Sequence, residues 1–293
     1  MTEAARPLRS MLFAGATRPD LVAKLDRAGA DAVIVDLEDA VPAEAKDEAR
    51  AALPDLLASV PGTPAFVRIN AVATSWFEAD LEAVAALPLA GVVLPKAETG
   101  GDLERIRGAL GAANPPAASN SDVPGGLAQP AVLAGIESAR GVAAAEEVFA
   151  AAPELCYFGA EDYVADVGGR RTAGGEEVLF ARSKVALAAR LAGVASIDQV
   201  VTDFRNEEAF ERDAAAGRAL GYHGKLCIHP AQVPIANRVF GASAEEVERA
   251  RALLAAWEDG AARGIAAVEF EGAMIDGPAL RMARDTIARG GAE

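Results

Sequence analysis

Ala32-Val33-Ile34-Val35-Asp36-Leu37-Glu38-Asp39 is the stretch on which the fold turns. Its first half is an unbroken apolar run rich in β-branched residues. That pattern fits a strand buried on both faces, as in a parallel sheet covered by helices. Working outward, a strand is predicted over Ser10–Gly15 upstream and, after Ala32–Leu37, over Ala65–Ile69, Gly91–Pro95, Ala131–Ile136, Leu155–Gly159, Ile197–Thr202 and Lys225–Ile228. Ala-rich amphipathic stretches separate them. Pro19, with Asp20 in the first turn, opens a helix running to about Gly29. Further helices are predicted over 43–59, 76–87, 101–112, 140–151, 176–192 and 206–220. Eight strand–helix alternations over about 240 residues predict a (β/α)8 TIM barrel. A doubly wound open sheet is the weaker alternative, because Phe13-Ala14-Gly15-Ala16-Thr17 after the first strand lacks a dinucleotide glycine fingerprint.

Residues 113–130, rich in Pro, Gly, Ser and Asn, read as a loop within one domain, since the alternation resumes beyond them. After the eighth strand come a helix over 243–263, an apolar run Ala266–Phe270, the segment 271–278 and a last helix. The expected organisation is a barrel over 1–242 with a C-terminal helical extension and lid over 243–293.

Composition narrows the function. Of 293 residues 52% are hydrophobic, enough for a large core, which excludes global disorder. Lys and Arg number 28 against 43 Asp and Glu, a net charge of −15. Such a chain is a poor non-specific binder of nucleic acid or anionic membrane. Cys156 and Cys227 lie in apolar runs and read as buried free thiols of a reducing compartment. With only His223 and His229, a His-rich metal site is excluded. The N-terminal ten residues lack the apolar core of a signal peptide, and no run of 18 apolar residues occurs. A cytoplasmic enzyme is expected.

A barrel of this kind carries its active site at the C-terminal ends of its strands. Those ends read Asp36-Leu37-Glu38-Asp39, Arg68-Ile69-Asn70, Pro95-Lys96-Ala97-Glu98, Glu137-Ser138-Ala139-Arg140, Gly159-Ala160-Glu161-Asp162 and His229-Pro230. Five consecutive strands thus place charge on one rim. Clustered carboxylates without His or Cys suit a hard divalent cation, most naturally Mg²⁺. Glu137 and Asp162, ending adjacent strands, are the simplest ligand pair, with helix capping as the structural alternative. Arg68 and Lys96 could bind an anionic oxygen, or could simply pair with Asp36 or Glu98. His229 reads as structural or a pocket wall. No Ser-His-Asp or Cys-His arrangement is visible, which disfavours a covalent acyl-enzyme.

At these residues the sequence resembles the citrate lyase β-subunit-like branch of the HpcH/HpaI aldolase superfamily. The matching motifs run in order: Leu8-Arg9-Ser10-Met11-Leu12-Phe13, Asp36-Leu37-Glu38-Asp39, Val67-Arg68-Ile69-Asn70, Leu94-Pro95-Lys96-Ala97-Glu98, Glu137-Ser138-Ala139-Arg140-Gly141, Gly159-Ala160-Glu161-Asp162, Ile228-His229-Pro230 and Gly272-Ala273-Met274-Ile275-Asp276. The resemblance implies a TIM barrel assembled as trimers or hexamers. It implies a Mg²⁺-dependent lyase that cleaves or forms a carbon–carbon bond of a 3-hydroxyacyl-CoA, giving an acyl-CoA and a 2-oxo acid. It assigns Glu137 and Asp162 to the metal, Arg68 to the reacting carbonyl, and Phe13, Arg18 and Lys24 to the CoA site. Asp276 becomes the acid that a C-terminal lid carries into a neighbouring subunit's site. Asp36 and Glu38 are expected to complete the catalytic rim. Two alternatives stand beside this: a CoA-independent aldolase acting on 2-oxo-3-deoxy acids, and a β subunit that works with citrate lyase partner chains.

Overall fold

A computed structural model describes residues 8–113, 130–263 and 268–290. The eight predicted runs are eight parallel strands: β1 Ser10–Gly15, β2 Ala32–Asp36, β3 Ala65–Arg68, β4 Gly91–Leu94, β5 Ala131–Ile136, β6 Leu155–Phe158, β7 Ala195–Asp198 and β8 Gly224–Cys227. They pair in sequence order, and β8 pairs with β1, closing the barrel. The expected (β/α)8 architecture is the observed one.

The two-residue period of a strand sorts the side chains into two cores. Met11, Ala32, Ile34, Phe66, Val93, Leu133, Leu155, Tyr157, Ile197 and Leu226 fill the barrel interior. Their neighbours Leu12, Val33, Val35, Val67, Val92, Val132, Ala134 and Cys156 face the surrounding helices. The same period carries inward positions out to the rim. Ala32 and Ile34 lead to Asp36, Phe66 leads to Arg68, and Leu133 leads through Gly135 to Glu137.

Several predicted helices are interrupted. The 43–59 stretch is a 3-10 turn at Ala43–Ala45 and two short helices, Lys46–Ala51 and Leu53–Ala58. Pro54 has no N–H to offer the carbonyl of Arg50, so the helix breaks at Ala52. The helix opened by Pro19 is one turn, Pro19–Val22, followed by a 3-10 turn, Leu25–Ala28, that ends at left-handed Gly29. Two helices escape the sequence pattern. Ala160–Asp166 directly follows β6, and Gln232–Phe240 follows β8 with Pro234 in its first turn, where a proline is tolerated. β7 starts two residues before its predicted start and ends at Asp198, not Thr202. Most of the predicted 113–130 loop lies outside the described residues.

The tail begins with the helix Ala244–Ala262, whose Ser243 and Glu246 form a reciprocal capping box. Strands β9 Val268–Phe270 and β10 Ala273–Ile275 then pair antiparallel, and the helix Gly277–Gly290 closes the described chain. Val268, Ile275 and Leu280 pack with Leu253, Leu254 and Trp257 as a small core of their own. Among the described residues no helix is long and apolar enough to cross a membrane. Both cysteines are free and buried.

Candidate active site

At the C-terminal mouth of the barrel lies a cavity of ≈ 470 Å³. Phe13, Asp36, Arg68, Glu137, Tyr157 and Asp162 line it, with Leu21, Val200, Leu226 and Ile228 as apolar walls. That volume suits a small ligand.

Arg68 is its most constrained cation. Asp36 is its register partner across β2 and β3, and Nε and Nη2 of Arg68 donate to the two Asp36 oxygens, 2.7 Å each. Asp36 also accepts from the backbone N–H groups of Glu38 and Ala40 at 2.9 and 3.0 Å. Burial works against its charge, but Arg68 and these donors hold the carboxyl below its usual range. Nη1 of Arg68 stands 3.1 Å from Glu38 Oε2, and the guanidinium lies 4.9 Å over the Phe13 ring. Burial again opposes the charge, yet Asp36 keeps Arg68 firmly protonated.

Behind this pair, Lys46 Nζ donates to the carbonyls of Leu37 and Glu38 and to Asn70 Oδ1, at 2.6 to 2.7 Å. Asn70 is held in turn by Asp80, which Arg50 pairs at 2.7 Å. The backbone that presents Asp36 and Glu38 is thereby fixed from within the fold.

Glu137 and Asp162 come together through Lys96. Its Nζ is 2.5 Å from Glu38 Oε1, 3.2 Å from Asp162 Oδ1 and 3.8 Å from Glu137 Oε2. Lys96 does not pair with Glu98, which accepts from Ser138 and faces Arg140 instead. Tyr157 hydroxyl donates to Glu137 Oε1. Oε2 is buried without a hydrogen bond. Burial pushes the Glu137 carboxyl up to about 7, with Arg68, Tyr157 and Lys96 pulling the other way and Glu38 adding to the rise. Glu38 is likewise raised by burial, against the pull of Arg68 and Lys96.

Two observations fit a hard divalent cation here. Glu137 offers an unpartnered buried oxygen, and a positive charge already sits between Glu137 and Asp162. Among the described residues no three His, Cys, Asp or Glu side chains form a metal cage. Mg²⁺ ordinarily takes one or two protein carboxylates beside waters and substrate oxygens, and Glu137 and Asp162 would supply them. Neither carboxylate caps a helix; Ser138 does so for the helix Ala139–Ala143, accepting from Gly141 N–H at 3.0 Å.

Three expected residues stand apart from this cluster. Arg18 is exposed and paired with Asp20 at 2.9 Å, and Lys24 is exposed. Asp276 is exposed, is not among the cavity's lining, and accepts from Ala279 N–H at 3.0 Å, capping the last helix. His229 stacks on Phe204 at 5.0 Å and accepts from Ala231 N–H, as a wall residue would. Tyr157 was not anticipated from the sequence. Its one sequence signal was an inward strand position one layer below a rim acid.

The model of the family described as HpcH/HpaI aldolase/citrate lyase matches residues 9–230 of this chain. The chain belongs to that family. A citrate lyase subunit beta-like protein of Deinococcus radiodurans is 49% identical over 289 residues, 96% of either chain. A (3S)-malyl-CoA thioesterase of Cereibacter sphaeroides is 33% identical, over 99% of this chain and 96% of its own. Among solved structures, protein CitE of Mycobacterium tuberculosis in complex with magnesium, acetoacetate and coenzyme A superimposes with a TM-score of 0.78 at 35% identity, covering 98% of this chain and 99% of that one. Membership in the HpcH/HpaI family makes this chain an enzyme of the lyase class, citrate lyase β-subunit-like.

Proposed function

We propose that this chain is a Mg²⁺-dependent carbon–carbon lyase. It splits or joins a 3-hydroxyacyl-CoA such as malyl-, citramalyl- or citryl-CoA, giving an acyl-CoA, acetyl-CoA in the simplest case, and a 2-oxo acid. The observation that carries this is the convergence of Glu137, Asp162 and Arg68 on one cavity. Relatives support the CoA-linked part of this reading: CitE was crystallised with magnesium and coenzyme A, and a 33% identical relative is named a (3S)-malyl-CoA thioesterase.

Glu137 and Asp162 would hold the ion, which supplies Lewis acidity toward the 2-oxo acid half when bound. Retro-Claisen cleavage leaves an enolate on the thioester. Arg68 is held by Asp36 on one edge, by Glu38 at Nη1 and by Phe13 beneath, and the guanidinium N–H groups left over would donate toward the enolate oxygen. Leu21, Val200, Leu226 and Ile228 supply the apolar part of the wall that the substrate would cover. Arg18 and Lys24 lie exposed on the stretch that follows β1 and would meet the CoA phosphates. Glu38 holds Lys96 and Arg68 at the rim.

The proton at the thioester's methyl carbon is assigned to Asp276 of a neighbouring subunit. In this reading residues 1–242 are the catalytic barrel and 243–293 a lid packing on the next copy in a homotrimer or hexamer. The test is to incubate the purified protein with Mg²⁺ and a panel of 3-hydroxyacyl-CoAs. Free acyl-CoA plus a 2-oxo acid is expected. Release of free CoA with the hydroxy acid intact would replace the lyase with a thioesterase, and no turnover of any member would overturn the proposal.

A further inference from the structure

Lys96 is the one cation, among the described residues, within 4 Å of either Glu137 or Asp162. Its neighbour Arg68 cannot serve them in its place, being tied to Asp36 and Glu38. Lys96 also holds a left-handed backbone, φ 51°, which a lysine rarely adopts. Strained backbone of this kind persists where the surroundings over-determine it, and it collects at functional sites. The surroundings here are three carboxylates, Glu38, Glu137 and Asp162, at 2.5, 3.8 and 3.2 Å from one ammonium.

Mg²⁺ sits about 2.1 Å from its ligand oxygens. An ammonium 3.2 and 3.8 Å from the same two carboxylates therefore occupies the same region between them. Two cations cannot share it without repulsion, which water softens but does not remove, since Glu137 is buried while Lys96 and Asp162 are 33% and 35% exposed. Lys96 does have a second anchor. Glu38 is its nearest partner, and no metal role is needed of Glu38.

We propose that Lys96 is the site's resident counter-cation: it keeps the metal's place in the metal-free chain, and metal loading displaces its ammonium from Asp162 and Glu137 onto Glu38 alone. The proposal rests on Glu137 and Asp162 being the metal ligands. Its consequence is coupling. The substrate-free site binds the ion weakly, because Lys96 competes for the same carboxylates. An anionic 2-oxo acid adds negative charge beside the ion, offsets that competition, and makes metal and substrate bind cooperatively.

The test uses Mn²⁺ counted by electron paramagnetic resonance on the full chain at pH 8, with and without pyruvate, and Mg²⁺ as competitor. Lys96→Met is expected to bind Mn²⁺ about tenfold or more tightly than wild type without pyruvate, and to lose most of the pyruvate-dependent gain. Lys96→Arg keeps the charge and should stay close to wild type. If Lys96→Met does not fold by circular dichroism, Lys96→Gln takes its place. Unchanged or weaker Mn²⁺ binding in the neutral variant, with wild-type binding still abolished by Asp162→Asn, overturns the Lys96 role and leaves the metal ligands standing. Wild-type Mn²⁺ binding that survives both Asp162→Asn and Glu137→Gln overturns the ligand assignment itself, and the Lys96 proposal with it.

Discussion

Asp36 and Arg68 are register partners on adjacent strands, and their side chains meet in a two-point ion pair with both N–O distances at 2.7 Å. The pair is nearly buried, with Asp36 2% and Arg68 11% exposed. Its planar geometry is specific to arginine, because lysine has no fork with which to hold a carboxylate and a second acceptor together. Arg68→Lys should lower kcat by about 10²-fold with a modest change in KM, the loss of one transition-state donor. Steady-state kinetics on the best acyl-CoA of the panel decide it; a near-normal kcat refutes the role. Asp36→Ala removes the two-point partner of buried Arg68 and leaves it only the looser Glu38 contact at 3.1 Å, and should cost about 3 kcal/mol of stability in urea denaturation.

Tyr157 and Glu137 give a second expectation. The Tyr157 hydroxyl occupies one oxygen of Glu137, and the other has no hydrogen bond and lies 3.8 Å from Lys96 Nζ. Partners of this kind orient a ligand, and removing one typically weakens metal binding about 10- to 100-fold. Tyr157→Phe preserves the ring in the space that Gly135 leaves for it. Isothermal titration with Mg²⁺ should show the weaker affinity while the melting temperature moves little. An unchanged affinity would show that Glu137 needs no such partner.

Gly159 has a steric reason to lack a side chain. A Cβ there would lie 2.5 Å from Glu137 Cγ. Gly159→Ala should therefore displace Glu137, destabilise the fold by about 1–3 kcal/mol, and weaken Mg²⁺ binding in the same titration. Full metal affinity in this variant would mean that Glu137 is not the ligand.

Asp276 caps a helix within its own chain, so its substitution has two effects that must be separated. Asn is as good a cap as Asp. Asp276→Asn should keep stability and lose activity, whereas Asp276→Ala should lose activity and about 1 kcal/mol besides. Mixed oligomers of Asp276→Asn and Asp162→Ala, reassembled after dissociation, should recover part of the activity by pairing a sound barrel with a sound foreign lid. If mixed oligomers form and stay inactive, the lid is not shared between subunits.

Away from the site, Asp213 governs an acid response. Burial alone would raise its carboxyl, but Lys225 and Arg182, 2.6 and 3.1 Å away, outweigh it and hold the group below its ordinary value. A depressed folded value contributes stability that is fully present above the unfolded value of about 3.9 and lost as pH falls through the folded one. The stability gap between wild type and Asp213→Asn should be about 2 kcal/mol near neutrality. It should stay level down to about pH 4 and shrink below it. A gap that keeps its size at pH 3 would refute the assignment.

Much of this protein was legible in its sequence because it is local. Apolar runs of strand length, separated by helical stretches, specify a closed parallel barrel. Residues at the C-terminal end of each run must then lie on one rim, which picks out Asp36, Arg68, Lys96, Glu137 and Asp162 from the sequence alone. Helix interruptions were less legible. Pro54 accounts for the break in 43–59, which reads from its pattern as one helix, but the break at Ala144 between Ala139–Ala143 and Ala145–Ala150 has no equally plain sequence cause.

Which rim charge meets which was decided only by tertiary structure. Lys96 lies two residues from Glu98 yet pairs with Glu38, 58 positions away in sequence. Tyr157 reads as one more apolar position in a strand, yet its hydroxyl reaches Glu137 from the next strand. The physical reason is that strand period fixes only the face a side chain takes. The stagger and tilt with which eight strands close set the height at which neighbouring side chains meet, and those are properties of the closed sheet.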